Sequence, residues 1–287
     1  MIWQLMREKR IGVLALQETH LTADQAESLS GQYRRLRFFV SPTPEPFVLN
    51  KDVVDASDDN VTFEVIVPGR AATLAIGWHA TRRVSILNIY APANSPVAKR
   101  AFFSDLYDSW PDSERWAPDV MLGDFNLVES SIDRFPPHLD DAAATTALSR
   151  LVTLFRLHDG YRRTYPTTPT FTFERTSDGI LTTARLDRAY VSDDILSTAH
   201  SWSVAESPIP SDHKLISFTL VDEKLPFIAL TDETFLRGSI TPETRSSTNN
   251  APLIWKRDFK DKNGLNLSFL HLGPPSSPVL PARRHPF

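Results

Sequence analysis

Asp124 and Asn126 stand two residues apart at the end of an apolar run, Asp119-Val120-Met121-Leu122-Gly123-Asp124-Phe125-Asn126. Residues two apart on an extended chain share a side. The spacing therefore aims a carboxylate and a carboxamide at one place, where the strand ends. Such a pair suits a hard metal ion and a phosphate oxygen. Gly, Asp and Asn are also common in turns, so this stretch alone also reads as a strand running into a turn.

Four further stretches carry residues of the same kind. They are Glu18 in Gln17-Glu18-Thr19-His20, Tyr90 in Asn88-Ile89-Tyr90-Ala91-Pro92, Asp187 in Arg185-Leu186-Asp187-Arg188, and the Asp212-His213 pair after Ser211. Each has a plain structural reading. Glu18 reads as an exposed carboxylate, Tyr90 as a core-edge aromatic with its hydroxyl in water, Asp187 as a surface ion pair worth little, and Asp212-His213 as a polar turn. In this order, and each at the end of an apolar strand, they read together as one site. Hydrolysis of a phosphodiester needs a divalent ion, an activated water and stabilisation of the charge on the transferring phosphorus. Glu18 offers a hard oxygen for Mg²⁺ or Mn²⁺. His213 can contact the scissile phosphate or help activate water, and Asp187, bonded to its ring, would fix the tautomer and raise its basicity. Asp124 is placed to orient or deprotonate water or to protonate the leaving oxygen. Asn126 and the Tyr90 phenol can donate to phosphate oxygens.

The elements that must position these residues alternate strands with a few helices. Met1–Lys9 forms an amphipathic helix with Ile2, Leu5 and Met6 on one face. The continuous apolar run Ile11–Leu16 reads as a strand covered on both faces. Thr22 with Gln25 is a capping box opening a helix to about Ser30, and Leu36–Val40 is a strand. Ser41–Asn60 reads as irregular, with Pro42, Pro44 and Pro46. A hairpin, Val61–Val67 with Ala71–Trp78, surrounds Pro68-Gly69-Arg70, and Arg83–Tyr90 follows as a strand. Ser95-Pro96 starts a helix to about Trp110. The Asp119–Leu122 strand precedes a helix over Asp141–Leu157. Strands then follow over Thr170–Phe173, Ala184–Val191, Ser201–Val204 and Leu215–Leu220. This pattern predicts a two-layered sheet sandwich with helices outside.

From Asp222 to Phe287 prolines recur and Ser/Thr/Asn clusters separate short apolar islands, which reads as a Pro-rich disordered tail after a 1–221 domain. The formal net charge of -4 gives no overall attraction to nucleic acid, so a DNA-binding surface must be local. A local rim could draw on Arg34, Arg35, Arg37, Arg134, Arg162 and Arg163. With no cysteine, disulfides, thiolate zinc sites and cysteine nucleophiles are excluded. The apolar run after Arg7, Lys9 and Arg10 is too short for a signal peptide or a membrane span. The expected setting is therefore intracellular, and nuclear for a protein acting on chromosomal DNA.

The series QETH, NIYAP, GDFN, RLDR-AYVS and SDH, in this order, resembles the endonuclease/exonuclease/phosphatase (DNase I-like) superfamily over about residues 1–221. With QETHL, NIYAP and Ile132-Asp133-Arg134 after GDFN, the wording is most similar to the endonuclease domains of non-LTR retrotransposons. The resemblance implies a four-layered α/β sandwich, Mg²⁺ (or Mn²⁺) dependence and DNA as the partner that is nicked. It places metal binding at Glu18 with Asp212 nearby, and the reaction centre at Tyr90, Asp124, Asn126, Asp187 and His213. Of these, Asp124, Asn126 and His213 also face the metal. Arg134 and Asn94 are candidate nucleic-acid contacts. Three departures follow from the same resemblance. Relatives begin with a strand that ends in a metal-holding asparagine, so this chain is expected to be N-terminally truncated by one strand and one ligand. The prolines after Ser41 are expected to shorten or delete another strand. Ala93 stands before Asn94 where relatives have Asn directly. Two rival readings remain: a catalytically inactive remnant of such a domain, and a phosphodiesterase or phosphatase for inositol phosphates or lipid headgroups.

Overall fold

The computed structural model describes residues 1–19, 21–40, 46–79, 82–110, 116–221 and 264–272. The chain opens with α1 (Ile2–Glu8), β1 (Ile11–Gln17), α2 (Ala23–Gln32), β2 (Leu36–Phe39), β3 (Phe47–Asn50), β4 (Val61–Val67), β5 (Ala71–His79), β6 (Arg82–Tyr90) and α3 (Pro96–Ser109). After β7 (Val120–Asp124) come a 3-10 turn at Ser131–Asp133, β8 (Arg134–Phe135), α4 (Ala142–Leu154), β9 (Leu157–Asp159) and α5 (Gly160–Thr164). The hairpin β10 (Phe173–Ser177) and β11 (Ile180–Ala184) leads to β12 (Asp187–Ser192), α6 (Asp193–Leu196), β13 (Ala199–Ala205), β14 (Leu215–Leu220) and β15 (Leu265–His271).

Two six-stranded sheets carry the fold. One has the order β13-β14-β15-β1-β3-β2 and the other β4-β5-β6-β7-β12-β9, while β10, β11 and β8 make a small third sheet. Strand alternation divides the apolar residues among layers. In β1, Val13 and Ala15 join the core between the sheets, whereas Leu14 and Leu16 turn to Leu5 and Met6 of α1. In β7, Val120 and Leu122 face the same inner core, and Met121 faces Phe103 of α3 and Leu148 of α4. A continuous apolar run is thus required wherever a strand is covered on both faces. The result is a four-layered α/β sandwich, helix–sheet–sheet–helix. Among the described residues no helix is long and apolar enough to cross a membrane.

Local chemistry sets the helix ends. The Thr22 hydroxyl accepts from Gln25 N, and the Gln25 side chain accepts from Thr22 N, forming the capping box. Ser95 caps α3, with Pro96 in its first turn. The Ser41–Asn60 stretch holds more order than the prolines imply. Phe47–Asn50, buried throughout, forms a four-residue strand between β1 and β2, so the strand is shortened and retained.

The largest departure from the sequence reading lies at the far end of the chain. Leu265–His271, expected to belong to a disordered tail, is β15 and sits inside the first sheet. It runs parallel to β1, with Ala15 opposite Phe269 and Gln17 opposite His271, and antiparallel to β14. Leu265, Leu267 and Phe269 enter the inter-sheet core. The place beside β1, between it and β14, is thus taken by a segment from far along the chain. The rest of the expected tail, 222–263 and 273–287, lies outside the described residues.

Gly123 fixes the close approach of β7 to β6. Its φ is +128°, and a Cβ there would stand 2.0 Å from the Ile89 carbonyl oxygen. Gly123→Ala is expected to cost about 3–5 kcal/mol through backbone strain and the clash. Denaturant unfolding measures this, and a loss below about 1 kcal/mol would show that the strand pair yields instead.

Candidate active site

The site residues gather where β1, β6, β7, β12 and β15 end. β6 and β7 are parallel, which sets Tyr90 beside Asp124, and β12 is antiparallel to β7, which sets Asp187 opposite Asp124. Glu18 directly follows β1 with φ +53°. Across the inter-sheet space, the Gln17 amide donates to Asn88 Oδ1 at 2.6 Å and Asn88 donates to the Leu16 carbonyl at 3.1 Å. Both amides are fully buried, so they pin the two sheets together directly behind the site.

Asp124 and Asn126 do meet, though not by strand alternation. β7 stops at Asp124, and Asn126 turns back with φ +51°. Asp124 Oδ1 accepts Asn126 N at 2.8 Å, and the Asn126 amide donates to Asp124 Oδ2 at 3.0 Å and to the Ala91 carbonyl at 2.9 Å. The Tyr90 hydroxyl donates to Glu18 Oε1. Asp187 and His213 form the expected pair, with His213 Nδ1 2.7 Å from Asp187 Oδ2. Thr172 Oγ1 donates to the same oxygen at 2.6 Å and accepts Asp187 N at 3.0 Å.

Burial gives these groups unusual charge preferences. Asp124 is 1% exposed, and burial, with the facing Asp187 carboxylate, pushes its acid up to about 7. For His213 burial acts downward, but the Asp187, Asp124 and Asp212 carboxylates outweigh it and bring the imidazole up to about 9. Burial raises the Tyr90 phenol, reinforced by its bond to Glu18. That phenol stays a proton donor at neutral pH. Asp212 is half-buried, and its carbonyl accepts Glu174 N at 3.1 Å while its charge bears on His213.

His271, at the end of β15, is the residue the sequence reading missed. It is 6% exposed, its ring lies 4.1 Å from that of His213, and its Nε2 is 3.7 Å from Glu18 Oε2 and 3.9 Å from Asp124 Oδ2. Burial and the neighbouring His213 lower its pKa, favouring the neutral ring. Ser211 holds it in register: its hydroxyl donates to the His271 carbonyl at 2.6 Å and accepts His213 N at 3.0 Å. The available signal was Leu265-Asn266-Leu267-Ser268-Phe269, an alternating run ending at a histidine.

The other expected contacts lie farther out. Asn94 is exposed on the loop before α3. Arg134 donates to both oxygens of Asp140, at 3.1 and 2.8 Å. Of the proposed basic rim, Arg35 pairs with Asp52, Arg37 with Asp58 and Arg162 with Asp133. Those charges are largely answered within the chain. The arginines flanking Asp187 are buried rather than on the surface. Arg185 reaches Asp133 and Asp159, and Arg188 reaches Glu129 and the Leu127 carbonyl.

A four-layered sandwich with carboxylates, amides and histidines converging from both sheets defines a DNase I-like α/β protein. Comparison with known proteins narrows this. Residues 1–213 match the Endonuclease/Exonuclease/phosphatase family, and the chain belongs to that family. It is 30% identical over 225 residues to the "Transposon TX1 uncharacterized 149 kDa protein" of Xenopus laevis. That alignment covers 76% of this chain, which spans only 16% of that protein's length. Among solved structures, the 3'-5' exonuclease NExo of Neisseria meningitidis superposes with a TM-score of 0.59 at 20% identity, covering 74% of this chain and 90% of that one. The endonuclease domain of TRAS1, a telomere-specific non-LTR retrotransposon, gives 0.50 at 13% identity, covering 74% and 99%. At these identities the structures speak for the fold alone.

Proposed function

We propose that the chain is a divalent-metal-dependent DNA endonuclease of retrotransposon origin that hydrolyses phosphodiester bonds. The observation that carries this reading is the meeting of Glu18, Tyr90, Asp124, Asn126, Asp187 and His213 at one set of strand ends. Family membership and the similarity to a transposon protein support DNA as the substrate.

The donor set fits a divalent cation. Asp124, His213 and His271 present ligand-type atoms within 4.8 Å of one another, and the buried Asp187 Oδ1 has no hydrogen-bond partner. Burial first, and the facing Asp187 carboxylate second, disfavour the Asp124 anion, and a bound cation would offset both. Glu18 and Asp124 would hold the ion, with Asp212 at the rim. Bound there, it supplies Lewis-acid polarisation of a phosphoryl oxygen.

The chain's own residues supply the rest. His213, cationic below about 9, binds a phosphate oxygen through the ring nitrogen opposite Asp187. Asp187 keeps the proton on Nδ1 and the ring in orientation. Asp124 is placed to accept a proton from the attacking water. Asn126 is fixed at three points and orients Asp124. Tyr90 holds Glu18 through its hydroxyl. Arg70, stacked 4.6 Å over the Tyr90 ring, holds that phenol in place and adds positive charge.

The test is nicking of supercoiled plasmid by the purified chain with Mg²⁺ or Mn²⁺. Nicking is expected in metal, absent in EDTA, and reduced about 10²–10⁴-fold in Asp124→Ala and His213→Ala. A folded wild-type chain that leaves plasmid intact would favour the inactive-remnant reading. Release of phosphate from a soluble inositol phosphate, with plasmid untouched, would favour the phosphatase reading.

A further inference from the structure

We propose that His271 is a metal ligand and that, with Glu18 and Asp124, it makes a site selecting an imidazole-accepting divalent ion such as Mn²⁺ or Co²⁺ over Mg²⁺. The inference rests on the proposed metal-dependent reading and names the ion class that reading leaves open.

The geometry is specific to three separate elements. Glu18 Oε1 is occupied by the Tyr90 hydroxyl, which leaves Oε2 turned to His271 Nε2 at 3.7 Å. On its other side the same nitrogen stands 3.9 Å from Asp124 Oδ2. Both separations exceed a hydrogen bond. Donors each about 2.1 Å from one ion lie about 3–4 Å from one another, so these spacings match shared coordination with little movement. Asp124 and His271 also belong, with His213, to the group of described residues whose ligand-type atoms lie within 4.8 Å of one another, and Glu18 Oε2 borders that group through its 3.7 Å approach to His271 Nε2.

The donor chemistry decides the ion. Mg²⁺ takes oxygen ligands in near-ideal octahedral geometry and keeps several waters, so an imidazole is a poor exchange for one of them. First-row transition ions accept imidazole readily and follow Mn²⁺ < Co²⁺ in affinity at a mixed N/O site. The position of the nitrogen is built in. His271 is 6% exposed, its carbonyl is fastened by Ser211 at 2.6 Å, and Leu272 N donates to the Gln17 carbonyl at 3.1 Å. The ring is wedged between those of Tyr90 and His213, at 5.5 and 4.1 Å. A side chain fixed this firmly is pre-organised for ligation. His213, whose Nδ1 is held by Asp187, keeps its other ring nitrogen for the phosphate in the proposed reading, and the His213→Ala arm below separates the two rings.

The experiment measures metal binding on the full chain, stripped with EDTA and without DNA. Mn²⁺ and Mg²⁺ are titrated separately and in competition by calorimetry, and bound Mn²⁺ is examined by electron spin-echo envelope modulation. The expected results are one Mn²⁺ per chain bound at least tenfold more tightly than Mg²⁺, and ¹⁴N coupling from a directly bonded imidazole. That coupling should persist in His213→Ala and disappear in His271→Asn, with Mn²⁺ affinity falling tenfold or more and Mg²⁺ affinity changing less than threefold. Should His271→Asn fail to fold, the wild-type and His213→Ala spectra decide alone. Bound Mn²⁺ without ¹⁴N coupling, or coupling lost in His213→Ala, would overturn the assignment. Plasmid nicking supported equally by Mg²⁺, with no ¹⁴N coupling, would sink this inference and leave the nuclease reading standing. Coupling without nicking would do the reverse.

Discussion

Asp187→Asn should leave the fold intact and lower kcat for plasmid nicking by about 10²–10⁴-fold. Asp187 is 2% exposed, and its Oδ2 accepts from both His213 Nδ1 and Thr172 Oγ1. An asparagine has the same shape but no charge, and its amide can present a donor where the ring needs an acceptor. The His213 proton then loses its fixed seat on Nδ1. In the metal-free protein the sign of the accompanying pKa change is clear. Burial alone drives His213 downward, and the carboxylates, Asp187 first, bring it up to about 9. Removing that charge should lower the His213 pKa, which NMR titration of the ring protons reads. A folded-state value above the ordinary 6.5 means that the pair stabilises the metal-free protein below about pH 6.5. This contribution disappears as pH rises through 9, and Asp187→Asn should flatten that decline. The deficit should sit in kcat rather than KM, since Asp187 has no exposed surface to offer a substrate. A kcat within threefold of wild type, or an unmoved His213 titration, would remove Asp187 from the mechanism.

Phe269→Asp should abolish the native fold. Phe269 is fully buried between the sheets, opposite Ala15 on one side and Ile216 on the other. An unpaired carboxylate there loses the aromatic packing and also pays desolvation, together about 5 kcal/mol or more, which rivals the whole stability of many domains. Phe269→Leu keeps an apolar side chain and should cost only about 1–2 kcal/mol. Near-UV circular dichroism and denaturant melts of the two variants make the comparison. A cooperative melt for Phe269→Asp close to wild type would mean that β15 is dispensable to the sheet.

Much of this molecule was legible from local patterns. The apolar runs of β1 and β7, the Thr22 and Ser95 caps and the turn at Pro68-Gly69-Arg70 each carry their own signal within a few residues. Polar groups bordering such buried strands are conspicuous: Glu18 and Asp124 close the runs of β1 and β7, Tyr90 closes β6, and Asp187 and His213 stand at and before the starts of β12 and β14. Asn126 was found for a reason the backbone does not follow: it returns to Asp124 through a left-handed turn instead of along the strand. β15 was not legible. Its seven residues lie among proline-rich and polar segments, and what makes them a strand is a parallel partner at the opposite end of the chain. Its alternation of apolar and polar residues is short, and nothing near it in the sequence names the distant partner. His271 was hidden with it, and so was the neighbour of β1 in the sheet.

Placing Leu265–His271 between β14 and β1 also orders events in time. On a ribosome, β1 emerges first and its neighbour in the sheet only some 250 residues later, at a synthesis rate of about 5–20 residues per second. Until then β1 and β14 have no common neighbour, and the closing imidazole does not yet exist. A growing polypeptide therefore spends most of its synthesis without the finished cluster of Asp124, His213 and His271. The cluster is closed only in a chain translated through Leu265–His271, so on the nuclease reading proposed above a product terminated before that segment would lack the full site.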